Sequence, residues 1–233
     1  MAKGAPVVAG ERRTEILAVA ERLFYEHGYD HTSIAQIIEE VGIAKGTFYH
    51  HFSSKAALVE GLVQGLIEQM LPAFEELARR SDISPVQRLQ GYFDINSGWK
   101  STNVELMVTT ITALYRPENA LLLRRISENS LDALGPYFNA VIVEGVEAGV
   151  FDAPRPERFG EFIMGMLIGI AESRSRILVE SIDEPSKLYD YADMISILEL
   201  AINRLLGVPE KTITLGAEQV LGRIRVYLEQ RGA

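Results

Sequence analysis

Two short helical segments on either side of a glycine constrain the fold of this chain more than any other feature. Residues 34–41 place apolar side chains at helical spacing, which predicts a helix with one buried face. Ser33 followed by Gln36 is a capping-box pattern, in which each side chain binds the other residue's backbone N–H. Gly42 permits a tight turn after that helix. We therefore expect a second short helix directly after the turn.

The second short helix is predicted to begin at Ala44 or Lys45. Phe48 and Phe52 lie four residues apart, so they share one face of this helix, and we expect that face to be buried. The window from Val41 to Val59 contains two lysines and two histidines but no carboxylate. An ordinary solvated helix would include Asp or Glu, so this window calls for a more specific explanation.

A helix, a glycine turn and a second, polar-faced helix form a helix-turn-helix. A helix that enters the major groove of DNA keeps one apolar face on its own domain and presents hydrogen-bond donors on the other. Carboxylates on the presented face would repel phosphates, so their absence favours binding to double-stranded DNA. The alternative, a polar surface helix without a partner, leaves the coincidence of the two patterns unexplained.

Charge is distributed unevenly along the chain. The formal net charge is −9 over 233 residues, which taken alone argues against nucleic acid. Residues 1–56, however, hold all four histidines and carry six lysines and arginines against seven acidic residues. Because a phosphate backbone responds to the local patch, the acidic total does not exclude DNA binding.

The composition argues against several other kinds of site. The chain has no cysteine, so disulfides and thiolate zinc sites are excluded, and the cytoplasm is the expected location. It contains no HExxH, no GxSxG and no phosphate-cradling glycine loop, so we expect neither an enzyme nor a metal site nor a cofactor. The longest apolar run, residues 162–171, is about half of the ~20 residues needed to cross a bilayer, so no membrane association is expected.

Helical periodicity continues through the rest of the chain without a convincing strand pattern, so the predicted fold class is all-α. We expect a flexible N-terminal arm over residues 1–10, a helix-turn-helix domain over 11–56 and a larger helical domain over 57–233. Further helices are predicted over residues 11–27, over 55–71 and, packing on the body, over 217–228.

Residues 16–63, ILAVAERLFYEHGYDHTSIAQIIEEVGIAKGTFYHHFSSKAALVEGLV, resemble the TetR family of transcriptional regulators. Apolar positions, turn glycines and polar positions all agree with that family in register. The resemblance implies a three-helix DNA-binding domain followed by an all-helical ligand-binding and dimerisation domain. The DNA-contacting residues that it implies are Thr32, Ser33, Lys45, Gly46, Thr47, Tyr49, His50 and Lys55.

Within this set Lys55 and Thr32 are expected at phosphates, and the side chains of the second short helix at bases. Two neighbouring positions depart from the family pattern. Ala44 stands where the family often has Ser, which removes a side-chain cap worth ~1 kcal/mol. Ala56 stands where a Glu commonly follows the lysine.

The resemblance also places an effector cavity in the second domain. Residues 89–115 are rich in apolar and aromatic side chains with a few polar ones, as ligand pockets are. Such stripes form ordinary cores as well, and only the family resemblance favours a cavity. The candidate pocket residues are Tyr92, Phe93, Trp99, Met107, Tyr115 and Phe138.

Gly165 and Gly169 indicate close helix packing within the apolar run of residues 162–171. The packing is either internal or between two copies, and the resemblance favours a homodimer in which residues 159–179 pack against 189–206. The candidate interface residues are Phe162, Met166, Gly169, Ile170, Ile195, Leu198 and Ile202.

Together these features predict a ligand-responsive regulator that binds a palindromic operator as a homodimer. The resemblance implies repression, with release by a small and largely apolar molecule. Two alternatives fit the same sequence. One is a DNA-binding dimer whose helical domain holds a protein partner, and the other is a small-molecule enzyme or carrier.

Overall fold

Every regular element is a helix in the residues that the computed structural model describes, 9–114 and 119–232, which confirms the predicted fold class. α1 begins two residues earlier than predicted, and residues 1–8 of the predicted arm lie outside the described chain. None of the described helices is long and apolar enough to span a membrane. The helices are α1 Ala9–His27, α2 Ile34–Val41, α3 Lys45–His51, α4 Lys55–Arg79, α5 Pro85–Thr102, α6 Val104–Leu114, α7 Ala120–Glu147, α8 Phe159–Gly169, α9 Ala171–Asp183, α10 Lys187–Leu205 and α11 Ala217–Gly232, with a 3-10 turn at Pro156–Arg158.

The connections between the first three helices follow the signals in their sequence. The predicted capping box is present at the start of α2, where the N–H of Gln36 donates to Ser33 Oγ at 3.2 Å. Gly28 and Gly42 follow α1 and α2 with φ angles of 81° and 71°. A side chain is strained in this left-handed region, whereas glycine adopts it freely.

One hydrophobic core joins α1, α2, α3 and the start of α4. Phe48 is fully buried and Phe52 is 3% exposed, as predicted from their spacing. In α2 the fully buried residue is Ile37, because the face that packs on α1 is centred there. Three α2 residues flank it half-buried: Ile34, Ile38 and Val41.

Residues from much later in the sequence complete this N-terminal core. Ala113 and Leu114, at the end of α6, are buried in it. Leu122 and Ile126, in the first turns of α7, are buried in it as well. The first three helices are therefore packed directly against the remaining helices, α4–α11, which we call the C-terminal body.

α4 is longer than predicted and passes through Pro72. It runs to Arg79 instead of ending near Leu71. A proline inside a helix lacks an N–H donor and crowds the carbonyl four residues earlier. Met70 and Phe74, on either side of the proline, are buried against α5 and α7. This packing offsets the local cost and carries the helix past the expected stop.

α7 and α8 contact each other through their backbones at Gly160. A Cβ at this position would lie 2.4 Å from the backbone nitrogen of Asn139 and 2.4 Å from the carbonyl carbon of Phe138. Asn139 fixes the same crossing, because its side chain accepts from the N–H of Glu161 at 3.0 Å and donates to Glu161 Oε1 at 2.9 Å. The two helices therefore form a closely fitted pair.

The helix expected over residues 159–179 is divided into α8 and α9. α8 ends at Gly169 and α9 begins at Ala171, with Ile170 between them. Glycine is a weak helix former, which is consistent with a break at this point. At the other end of the chain, α11 packs on the body as expected, and Val220 and Ile224 are buried there.

Candidate nucleic-acid interface and internal cavity

α3 presents an exposed polar face beside a buried aromatic one. Phe48 is fully buried under the helix, whereas the neighbouring Tyr49 is 46% exposed. Their rings meet edge to face, with centroids 5.4 Å apart. Lys45 Nζ lies 6.0 Å from the centre of the Tyr49 ring. The charged end of Lys45 and the ring of Tyr49 thus lie on one exposed surface of α3.

Backbone hydrogen bonds at the turn fix the direction in which α3 leaves α2. The N–H of Gly42 donates to the carbonyl oxygens of Ile38 and Glu39 at 3.0 and 3.1 Å. The N–H of Ile43 donates to the same Ile38 oxygen at 3.2 Å. Ala44 stands at the N-cap of α3 without a side-chain hydrogen bond, as its sequence predicts. The start of α3 is therefore set by the backbone hydrogen bonds of the turn and not by a side-chain cap.

Lys55 and Thr32, which were expected at phosphates, lie together at the α1–α2 connection. Lys55 Nζ donates to the carbonyl oxygens of Tyr29 and Thr32 at 2.6 and 2.9 Å, and it lies 4.2 Å from the centre of the Tyr29 ring. The hydroxyl of Thr32, a residue only 1% exposed, lies 3.0 and 2.9 Å from the carbonyl oxygens of Leu23 and Gly28. Both side chains brace the connection, and the hydroxyl of Thr32 is directed to backbone carbonyl oxygens and away from the surface.

The remaining members of the expected DNA-contacting set lie on the outside of the helix-turn-helix. Thr47 is half-buried. The exposed members are Ser33, Lys45, Gly46, Tyr49 and His50. Tyr29, which receives Lys55, was missed by sequence reasoning, because no spacing or pattern marks a contact between α1's end and α4.

An internal cavity with two adjoining chambers lies in the C-terminal body. The larger chamber, of about 350 Å³, is lined by residues of α4, α5 and α7–α11. The smaller chamber, of about 210 Å³, is lined by residues of α4, α5, α6, α9 and α10. Tyr92, Phe93 and Phe138 line the larger chamber, and Trp99 and Met107 line the smaller one. Tyr115 lies outside the described residues.

Lys100 and Arg174 border both chambers and were not among the expected pocket residues. They are the only charged side chains among the described lining residues. Burial, and to a smaller extent the charge of Arg174, lowers the pKa of Lys100 to about 7. The sequence shows each residue as a single charge in a helix, but only the fold brings α5 and α9 together at this cavity.

The residues expected at a dimer interface fall into two groups. On α8 and directly after it, they are exposed or half-buried: Phe162, Met166, Gly169 and Ile170. On α10, they are buried inside the protomer: Ile195, Leu198 and Ile202. The outward apolar residue of α10 is Ile197, which is 66% exposed. The apolar spacing of α10 is ambiguous between these two faces, because both contain large aliphatic residues.

Comparison with known proteins extends the likeness beyond the first helices. A model of the family described as bacterial regulatory proteins, tetR family, matches residues 16–62. The HTH-type transcriptional repressor Rv1474c of Mycobacterium tuberculosis is 30% identical over 167 residues, which cover 63% of this chain and 86% of that protein. The HTH-type transcriptional repressor KstR2 of the same species is 36% identical over 89 residues, 37% of this chain and 44% of that protein.

A solved structure shares the whole architecture. FadR of Bacillus subtilis, a transcriptional regulator crystallised in complex with stearoyl-CoA, aligns over 86% of this chain and 98% of its own, with a TM-score of 0.57 and 18% identity. At that identity the likeness establishes a common fold.

Proposed function

The chain belongs to the TetR family of DNA-binding transcriptional regulators, and from this premise we propose that it represses transcription from a palindromic operator. It binds the operator as a homodimer that presents two α3 helices about one turn of DNA apart, roughly 34–36 Å. A small, largely apolar molecule in the internal cavity releases it from the DNA.

The exposed face of α3 is the observation that carries this proposal. It offers a lysine, a tyrosine and a histidine, and no residue of α3 is acidic. Lys45 and Tyr49 reach base edges in the major groove, where an amine donates to guanine acceptors. Ser33 at the start of α2 and the positive charge of Lys55 flank this face and favour phosphates. Buried Phe48 holds the face in position.

Selection of binding sites from random duplex DNA tests the proposal. We expect the wild-type protein to enrich a palindrome and to lose affinity steeply as salt is raised. Lys45→Ala and Tyr49→Ala should each weaken binding to that palindrome by about 1–3 kcal/mol. Lys187→Ala, which removes a lysine from α10, serves as the charge-matched control and should bind like the wild type. Enrichment of the same sequence by both α3 variants at unchanged affinity would refute the assignment of α3.

The cavity and the N-terminal core share residues, which provides a route for release. Leu114 of α6 is buried in the N-terminal core and also lines the smaller chamber. Leu62 and Val63 of α4 pack against that core and line the same chamber. A ligand that fills the chamber therefore presses on side chains of the core in which Phe48 of α3 is buried. The coupling can be no larger than the ligand's difference in affinity between the two states. The stearoyl-CoA bound by FadR, which has the same fold, supports a ligand with an apolar chain for this body.

Dimerisation is assigned to the outward face of α8. A Cβ at Gly165 or Gly169 would meet nothing within 4 Å, so packing inside the protomer does not require these glycines. Phe162, one turn before Gly165, exposes 56% of its surface. Small residues beside an exposed aromatic ring allow a second copy to approach closely. On α10, Ile197 is a second outward apolar residue, 66% exposed.

Replacing Phe162 by glutamate should convert the dimer to monomer. A charge at the centre of the interface remains unpaired when a second copy packs on it, which costs several kcal/mol. Sedimentation velocity measures the change. The control is Leu121→Glu, because Leu121 is 78% exposed on α7 and outside this surface. If the Phe162→Glu protein sediments as the wild type does, the dimer interface does not lie on the outward face of α8.

A further inference from the structure

The internal cavity contains two cationic side chains without a counter-charge. Neither Lys100 nor Arg174 forms an ion pair within the described part of the chain, and no described residue that lines either chamber is acidic. Arg174 Nε is buried without a hydrogen-bond partner among the described residues. The one hydrogen bond of its side chain within the described residues is a long one, from Nη2 to the carbonyl oxygen of Leu167 at 3.4 Å.

This arrangement costs the protein free energy. Buried charges in proteins are usually paired, and an unpaired one shifts its pKa toward the neutral form. The lowered pKa of Lys100 shows this cost, since its first cause is burial and its second is Arg174. The residues around the two cations come from five or more helices, so the site is a built pocket between helices in which both cations are half-buried. An anionic group between the two side chains would remove both penalties.

The remaining lining of the cavity is mostly apolar, with Asn96 and Ser130 as neutral polar residues in the larger chamber and Thr110 and Ser175 in the smaller one. Around the cations the larger chamber is walled by aromatic and aliphatic side chains of α4, α5, α7 and α8. Its volume of about 350 Å³ lies at the small end of the range for ligand pockets, about 300–1,000 Å³. A molecule that matches both features has one charged end and one hydrocarbon end of modest length.

We propose that the cavity binds a small amphiphile whose anionic head group, a carboxylate or a phosphate, lies between Lys100 and Arg174 and whose apolar tail fills the larger chamber. Arginine pairs with either head group through two parallel N–H donors, and lysine adds a point charge. The regulatory consequence of this site rests on the function proposed above, in which cavity occupation releases DNA. The binding site itself does not depend on it.

Calorimetric titration of the DNA-free protein with matched probes tests the site. Decanoate, decyl phosphate and decanol share one tail and differ in the head group. At pH 6 we expect the wild type to bind at least one of the two anions more than ~10-fold tighter than decanol, since a charge-assisted pair contributes more than a neutral hydrogen bond. The tighter anion identifies the head group. Lys100→Met and Arg174→Met should each remove most of this preference, and Lys187→Met should keep it.

Decanol binding as tightly as both anions in the wild type would overturn the proposal. So would anion affinity that is unchanged in both Lys100→Met and Arg174→Met. Folding is checked independently, because removing an unpaired buried charge should leave the melting temperature of Lys100→Met at pH 6 at or above that of the wild type. If the anion binds but operator DNA stays bound, the proposed binding site is supported and the proposed ligand-controlled release is refuted.

The pH dependence of decanoate binding gives a second test. The titratable groups that face Lys100 are Arg174 from α9 and Tyr191 from α10, and the other described lining residues are uncharged. Burial raises the pKa of Tyr191, so it remains neutral over this range. Lys100 is mostly charged below pH 7. Above pH 7 it is mostly neutral and must take up a proton before it can pair with the anion. Affinity should therefore fall about tenfold from pH 6 to pH 8 in the wild type and stay constant in Lys100→Met; a flat wild-type profile would exclude Lys100 from the site.

Discussion

Replacing Phe48 by alanine is expected to lower the free energy of unfolding by about 3–5 kcal/mol, because the ring is fully buried in the N-terminal core and its removal leaves a cavity. The same change should abolish operator binding, since Phe48 holds the exposed face of α3 in place. Urea unfolding followed by circular dichroism measures the first effect, and titration of the selected palindrome measures the second.

The residue next to Phe48 supplies the control. Tyr49 is 46% exposed, so Tyr49→Ala should change stability by no more than about 0.5 kcal/mol. It should nevertheless weaken DNA binding as strongly as loss of a base contact does. Adjacent positions then separate the two roles of α3, one in packing and one in recognition. A Tyr49→Ala protein with full DNA affinity would remove Tyr49 from the recognition surface.

Gly160→Ala should have an effect of similar size in the C-terminal body. The new Cβ would lie 2.4 Å from two backbone atoms of α7, and backbone cannot move aside as a flexible side chain can. α7 and α8 must separate, which breaks the paired hydrogen bonds of Asn139 with Glu161. We expect a loss of about 3 kcal/mol or more, measured by urea unfolding.

Gly98→Ala is the matched control for this substitution. Gly98 also lies inside a helix, but a Cβ there would meet nothing within 4 Å. Alanine at this position should stabilise the protein by about 0.5–1 kcal/mol, because it restricts the unfolded chain. Equal stability of the two variants would show that α7 and α8 are not held at the distance described.

The N-terminal helices are predictable from sequence because local signals set them. The capping box of Ser33, the left-handed glycines at 28 and 42 and the spacing of Phe48 and Phe52 each act within a few residues. The uncapped Ala44 was predictable in the same way. Local chemistry decides these features, so the fold confirms them without reference to distant packing.

Features set by tertiary packing were beyond the same reasoning. Pro72 looked like a helix stop, yet burial of Phe74 continues α4 to Arg79. The spacing of apolar residues in α10 did not reveal which face turns inward. The meeting of Lys100 and Arg174 depends on how α5 and α9 cross, and no pattern within either helix records that crossing.

The shared N-terminal core has a consequence for how this protein can evolve and be engineered. Four of its buried residues belong to α6 and α7: Ala113, Leu114, Leu122 and Ile126. If the helix-turn-helix domain, residues 11–56, were grafted onto the C-terminal helices of a relative, it would meet a foreign surface where these four side chains belong. The DNA-binding helices and the cavity-bearing helices are therefore not freely exchangeable modules in this chain, and a stable chimera must transplant the end of α6 and the start of α7 together with the first three helices.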